Sequence, residues 1–187
     1  MKPLADGGEG TTEALVEGLG GRYVSAEVTG PLGEKTNARY GILRDGQTAV
    51  LEMAEAAGIT LVDREELDPY RATTYGVGEM ILDAVKRGCR RFIIGIGGSA
   101  TTEGGAGMLQ ALGYGIIDGD GKPIRHGIRD LDQIAHISME NVPEVLKECQ
   151  FQIACDVKNP LCGETGAVWV YGPQKGVREE DKRIFDR

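Results

Sequence analysis

Three glycine-rich segments carry most of the residues whose types suit chemistry. The first spans 5–11 (Ala-Asp-Gly-Gly-Glu-Gly-Thr) and directly precedes a predicted helix. Glycines expose backbone N–H groups and a helix start adds partial positive charge, so such a loop is suited to binding anions. The carboxylates of Asp6 and Glu9 can also accept hydrogen bonds from hydroxyl groups or bind Mg²⁺. A solvent-exposed turn with a helix cap is an equally good interpretation of these residue types alone.

The second segment, 95–107, is the most informative stretch of the chain. It follows a predicted buried strand and leads into a helix, an arrangement typical of loops that bind phosphate or carboxylate groups. Ser99, Thr101 and Thr102 add hydroxyl donors, and Glu103 adds a carboxylate just before the helix. The segment therefore predicts an anion site with hydroxyl donors.

The same segment also fits a relaxed dinucleotide-binding fingerprint, Gly95-x-Gly97-x-x-Ala100. Asp118 follows at the distance expected of an acid that binds ribose. The helix starts later than the fingerprint requires, and no lysine follows the loop, which excludes a Walker A loop. This alternative predicts a nicotinamide-dependent oxidoreductase.

The third segment joins 155–163 to the turn 172–176. Asp156 follows an apolar strand, where carboxylates of α/β active sites collect, and is a candidate general base or metal ligand. Lys175, in a Gly-Pro turn, is a candidate anion clamp. A turn cap for Asp156 and a solvated side chain for Lys175 are the simpler alternatives.

Periodicity of apolar residues predicts alternating helices and strands, which indicates an α/β fold. Helices are predicted at 11–19, 75–86, 104–112, 142–149 and 178–187. Strands are predicted at 22–28, 37–43, 48–53, 91–96, 115–118, 151–155 and 167–171.

Composition excludes several classes of protein. The 187 residues include 21 Lys plus Arg and 29 Asp plus Glu, a net charge of −8 that argues against nucleic-acid wrapping and docking to an anionic membrane. The four cysteines include no Cys-x-x-Cys pair and do not form the pattern of a zinc site. The apolar runs are too short to cross a bilayer and the start lacks a signal-peptide core, so a cytoplasmic location is predicted.

Several motifs in this order resemble the glycerate kinase family, the bacterial type-1 glycerate kinases. They are ADGGEGT (5–11), TGPLG (29–33), EMAEAAG (52–58), TTYGVGE (73–79), GIGGSATTEGGAGMLQALG (95–113), ACDVKNPLCG (154–163) and GPQKG (172–176). The resemblance implies an α/β fold of two domains, a flavodoxin-like domain and an inserted α/β domain. Residues 1–25 would be a remnant of the first, and residues 26–187 most of the second.

The resemblance also implies phosphorylation of D-glycerate by ATP with Mg²⁺, giving 2-phosphoglycerate or 3-phosphoglycerate, with the former preferred. The candidate catalytic residues are Asp6, Asp156 and Lys175. The candidate substrate or phosphate contacts are Gly7, Gly8, Gly10, Gly97, Gly98, Ser99, Ala100, Thr101, Thr102 and Asn159. The candidate metal ligands are Glu9 and Glu103.

Two departures from the family pattern affect these expectations. The family carries a lysine-containing loop before ADGGEGT and a further C-terminal half, so this chain is expected to be a piece of a longer protein. Where the family usually has Asn-Asp, this chain has Thr102-Glu103, which moves the carboxylate outward by a methylene group and weakens the case for Glu103 as a Mg²⁺ ligand. A non-catalytic carboxylate-binding module and association into a homo-oligomer stay open.

Overall fold

The structure, a computed structural model that describes residues 7–186, is built on a mixed sheet of five strands. Their order in the sheet is β1 (Gly21–Thr29), β2 (Lys35–Leu43), β3 (Thr48–Glu52), β4 (Arg91–Gly95) and β7 (Gln150–Ala154). The first three strands pair antiparallel, whereas β3, β4 and β7 run parallel. Because parallel strands end at the same side of a sheet, the segments that follow β3, β4 and β7 all leave from one edge, which we call the carboxyl edge.

Helices precede, connect and follow the parallel part of the sheet, as the sequence predicts. They are α1 (Thr11–Leu19), α2 (Ala54–Ala57), α3 (Tyr75–Lys86), α4 (Ala106–Ala111), α5 (Ala167–Tyr171) and α6 (Lys182–Phe185). A separate antiparallel pair consists of β5 (Gly115–Asp118) and β6 (Ile134–Ser138). Short 3₁₀ turns lie at Ile59–Leu61, Leu131–Gln133, Glu144–Glu148, Pro173–Lys175 and Glu179–Asp181. The α/β class is therefore confirmed.

The core lies between α3 and the sheet. Val77, Met80, Ile81 and Ala84 are buried and recur at the spacing of one helix face. They pack in one cluster with buried side chains of β2, β3 and β4, and all five residues of β3 are buried. Each fully buried aliphatic side chain contributes about 1.5–3 kcal/mol relative to exposure. This packing fixes the three parallel strands, and with them the carboxyl edge.

The predicted strand at 167–171 is wrong, because this run forms α5. A short apolar run does not by itself distinguish a strand from a buried helix segment. Here Val168 packs with Val177 and Phe185 in a small second cluster, and the N–H of Gly172 donates to the Val168 carbonyl at 2.9 Å in the helical pattern. The helix predicted at 142–149 is a 3₁₀ turn at Glu144–Glu148.

β1 runs without a break through residue 25, the predicted limit between two domains, and that division stays a prediction. None of the helices within residues 7–186 is long and apolar enough to span a membrane.

Candidate functional site

The first loop, residues 7–10, lies against the ends of two parallel strands. The Gly7 carbonyl accepts a hydrogen bond from the N–H of Gly97, just after β4, at 3.1 Å. A Cβ atom on Gly7 would lie 2.5 Å from the carbonyl oxygen of Ala154, the last residue of β7. Gly7 also has φ of +94°, a conformation that residues with side chains rarely adopt. Glycine is therefore required at position 7. The close approach places the first loop against the ends of β4 and β7, from which the other two glycine-rich segments leave. Asp6 lies outside the described residues.

Glu52 attaches the first loop to the end of β3. Its side chain is buried, and its two carboxylate oxygens accept the N–H groups of Gly10 at 3.2 Å and Thr12 at 2.6 Å. The N–H groups at a helix start have no partners within the helix. A carboxylate of the chain itself thus occupies the start of α1, where the sequence predicts anion binding. Glu52 is not among the site residues predicted from the sequence, although it is a carboxylate at the end of an apolar strand, the signal that singled out Asp156.

The second loop, residues 96–105, is fixed by backbone hydrogen bonds to 57–59. The N–H of Ile59 donates to the Gly98 carbonyl at 2.8 Å, and the N–H of Ala100 donates to the Ala57 carbonyl at 2.8 Å. These bonds hold the backbone on both sides of Ser99. The loop is therefore a preorganised support for the side chain of Ser99.

Lys175 reaches the second loop from the 3₁₀ turn that follows α5. Its Nζ donates to Ser99 Oγ at 2.8 Å and to the carbonyl oxygen of Thr101 at 2.6 Å. Burial lowers the pKa of the Lys175 ammonium group from 10.5 to about 8. The group still carries its charge near neutral pH. The structure thus joins three residues that the sequence indicated separately.

Glu9 lies on the outer side of these two loops. Its side chain is exposed, and a Cβ atom on Gly98 would lie 4.0 Å from Glu9 Oε1. A Cβ atom on Gly97 would lie 2.8 Å from the Cα atom of Gly8, so the two loops are packed closely here. The arrangement leaves the Glu9 carboxylate beside the second loop.

Glu103 is buried between two helix starts. Its Oε1 accepts from the N–H of Thr74 at 2.9 Å and from the hydroxyl of the same residue, and its Oε2 accepts from the N–H of Gly107 at 2.8 Å. Helix starts stabilise a negative charge, which accounts for a carboxylate that is 2% exposed. The residues from 7 to 186 include no group of three or more His, Cys, Asp or Glu able to hold a metal ion. The metal role of Glu103 stays a prediction, and its hydrogen bonds favour a structural role.

The third loop, residues 155–166, follows β7 at the carboxyl edge. Asp156 is exposed two residues after the end of the strand. Asn159 uses both ends of its amide, donating to the Thr165 carbonyl at 2.9 Å and accepting from the Tyr171 hydroxyl at 2.7 Å. Asn159 therefore shapes this loop. Thr102, in the second loop, donates to the carbonyl of Pro69 at 3.4 Å.

Asp118 does not lie where a nicotinamide-binding site would need it. It ends β5, a strand of the small sheet rather than of the parallel sheet. Its Oδ1 accepts the N–H groups of Asp120 and Lys122, both at 2.9 Å, and so forms a turn. These contacts do not favour a ribose-binding role.

Comparisons with known proteins agree with the motifs. A glycerate kinase from Haemophilus influenzae is 48% identical over 184 residues, which cover 98% of this chain and 49% of that protein. A glycerate 2-kinase from Escherichia coli (strain K12) is 50% identical over 177 residues, which cover 95% of this chain and 46% of that protein. The chain thus spans about half the length of the curated relatives it matches.

A solved structure from Salmonella typhimurium LT2, described as a glycerate kinase 2, superposes on this chain with a TM-score of 0.94. The two are 48% identical, and the match covers 99% of this chain and 50% of the other. The model of the glycerate kinase family matches residues 1–187. With motifs, fold and relatives in agreement, this chain belongs to the glycerate kinase family.

Proposed function

We propose that this chain carries a major part of the active site of a glycerate kinase, which transfers the γ-phosphoryl group of ATP to D-glycerate and gives 2-phosphoglycerate. The contact of Lys175 with Ser99 and Thr101 carries the proposal. It places an ammonium group on a glycine-rich loop at the carboxyl edge of an α/β sheet, where ligands bind in such folds. Membership of the family supports the choice of substrate.

Lys175 and Ser99 are suited to hold an anionic group. An ammonium group has three N–H donors, and two of those of Lys175 are directed at Ser99 Oγ and the Thr101 carbonyl. The third can donate to a phosphoryl or carboxylate oxygen. Because Ser99 Oγ accepts from the ammonium group, its own O–H proton is directed elsewhere and can serve the same anion. Phosphoryl transfer depends mainly on such positioning and charge neutralisation.

Asp156 is the candidate base. In the proposed step a hydroxyl oxygen of glycerate forms a bond to the γ-phosphorus, the bond from that phosphorus to the ADP oxygen breaks, and the hydroxyl proton passes to the Asp156 carboxylate. A base must lie within hydrogen-bond reach of the proton it takes. The exposed position of Asp156 at the carboxyl edge, on the loop after β7, is compatible with that requirement.

The residues present fit Mg²⁺ at the first loop. Mg²⁺ prefers carboxylate and water oxygens and usually takes only one or two protein carboxylates besides phosphate oxygens. Glu9 is exposed beside the second loop and is the better placed of the two predicted ligands, because both oxygens of Glu103 already accept hydrogen bonds. The ion, when bound with ATP, supplies neutralisation of phosphate charge.

An ADP-release assay with D-glycerate, ATP and Mg²⁺ tests the proposal. It is run on this chain and on a version extended to the length of its relatives, and ³¹P NMR distinguishes 2- from 3-phosphoglycerate. Turnover by both versions supports a complete site within residues 1–187. Turnover by the extended version alone supports the kinase and makes this chain an incomplete site. No turnover by either folded version contradicts the kinase.

Lys175→Met in whichever version is active should lower kcat by about 10²–10³-fold, the usual loss when one donor to a developing negative charge is removed. Lys122→Met is the matched control, because that side chain is 74% exposed on the remote turn after β5. An unchanged kcat in Lys175→Met would contradict the role given to the ammonium group.

A further inference from the structure

Glu52 is a buried carboxylate that the proposed reaction does not use. Its side chain is 6% exposed and ends β3 at the carboxyl edge. The ion pairs found within residues 7–186 do not include it. Its two described partners are the N–H groups of Gly10 and Thr12 at the start of α1. The carboxylate therefore takes the position that an external anion would take at a helix start.

A second anion at this point would be repelled. Two like charges at contact distance oppose each other strongly wherever water is partly excluded. The surrounding surface is also mainly acidic: a cavity of about 260 Å³ lies here. Its lining includes Glu9, Glu13, Glu52 and Glu55. Arg39 also lines it, with its guanidinium group over the ring of Tyr23, 4.6 Å from the ring centroid, so the lining holds four carboxylates and one cation.

The opposite charge lies against the residues of the second loop that follow Gly98. There the Lys175 ammonium group contacts Ser99 and Thr101. The Glu9 carboxylate lies 4.0 Å from the place of a Cβ atom on Gly98, the neighbour of Ser99. The acidic side, with Glu9, and the basic side, with Lys175, therefore approach the second loop at neighbouring residues.

We propose that Glu52 is a specificity-determining residue: its carboxylate fills the start of α1 and directs the anionic group of the ligand to Ser99 and Lys175. The hydroxyl groups of the ligand then lie toward the acidic side, where carboxylates can accept hydrogen bonds from them. A small hydroxy acid, with a carboxylate at one end and hydroxyl groups at the other, matches this polarity. The proposal rests on the proposed function for the choice of that ligand, but not for the exclusion of anions from α1.

The probe is inorganic phosphate, and the changes that it causes in the amide chemical shifts of ¹H–¹⁵N NMR spectra report where it binds. In the unmodified chain, phosphate should shift amides of the second loop and leave those of Gly10 and Thr12 in place. In Glu52→Ala, which removes the carboxylate and leaves the N–H groups of Gly10 and Thr12 without this acceptor, the two amides should respond, with phosphate bound at the start of α1 on the order of tenfold tighter than in the unmodified chain. Glu17→Gln, an exposed glutamate of α1 beyond its first turn and outside the cavity lining, is the matched control and should behave as the unmodified chain.

Glu52→Asp separates charge from packing. Its shorter side chain loses hydrogen-bond reach but keeps the negative charge, so phosphate should still be excluded. Equal phosphate binding by the Asp and Ala variants, or none at α1 in folded Glu52→Ala, would overturn the proposal. If the variants do not fold, the unmodified chain alone tests the proposal. Phosphate-induced changes in the amide shifts of Gly10 and Thr12, or no such change in the second loop, would overturn the proposal. Because neither ATP nor glycerate is used, absence of kinase activity does not affect this result.

Discussion

Replacing Lys175 with methionine should change how the free energy of unfolding depends on pH. The pKa of this ammonium group is lowered by burial from 10.5 to about 8 in the folded chain. Below pH 8 the lysine is charged in both states, and above pH 10.5 it is neutral in both. Between these values the unfolded chain binds the proton and the folded chain does not, so folding becomes more favourable as pH rises. At roughly 1.4 kcal/mol per pH unit, the gain is on the order of 3 kcal/mol.

Urea unfolding at a series of pH values from 7 to 10.5 measures this gain, with the fluorescence of the single tryptophan, Trp169, as the signal. The quantity of interest is the difference between the unmodified chain and Lys175→Met. Other titratable groups, such as the Cys89 thiol, whose pKa is raised by burial, are present in both proteins and cancel in the difference. Lys122→Met, exposed and remote, should follow the unmodified chain. If the difference in the free energy of unfolding between the unmodified chain and Lys175→Met stays constant with pH, the burial of a charged Lys175 against the second loop is refuted.

Two further substitutions test the packing beneath the site. Glu103→Gln should lower the free energy of unfolding by about 1–3 kcal/mol, because the amide NH₂ then faces a backbone N–H that has lost its acceptor. Urea unfolding measures this loss. An equal loss in the exposed control Glu140→Gln would contradict the role given to Glu103. Gly95→Ala should cost about 1–3 kcal/mol, since its Cβ would lie 2.5 Å from the Gly7 carbonyl oxygen. Gly119→Ala, where a Cβ meets nothing within 4 Å, is the control, and an unchanged melting temperature in Gly95→Ala would show that the first loop does not contact the end of β4.

The sequence by itself determined the elements and their kinds. Apolar periodicity placed α3 at 75–86, the observed limits, and placed the strands at 22–28 and 91–96 within one residue of their ends. These features are local, because the pattern of a helix or strand is set by residues within a few positions of each other. The glycine-rich motifs likewise identified the loops that follow β4 and β7, and they carried the resemblance to the family.

Only the tertiary structure decided which side chains meet. Lys175 contacts Ser99 across 76 residues, and Glu52 reaches Thr12 across 40. Such contacts depend on which strands pair in parallel and where the crossovers return, and no local pattern encodes this. The helix at 167–171 was decided in the same way, because its apolar run suits a strand or a buried helix equally until Val168 packs with its distant partners. The residue types thus determine what chemistry is available, and the parallel pairing of β3, β4 and β7 determines where it is assembled.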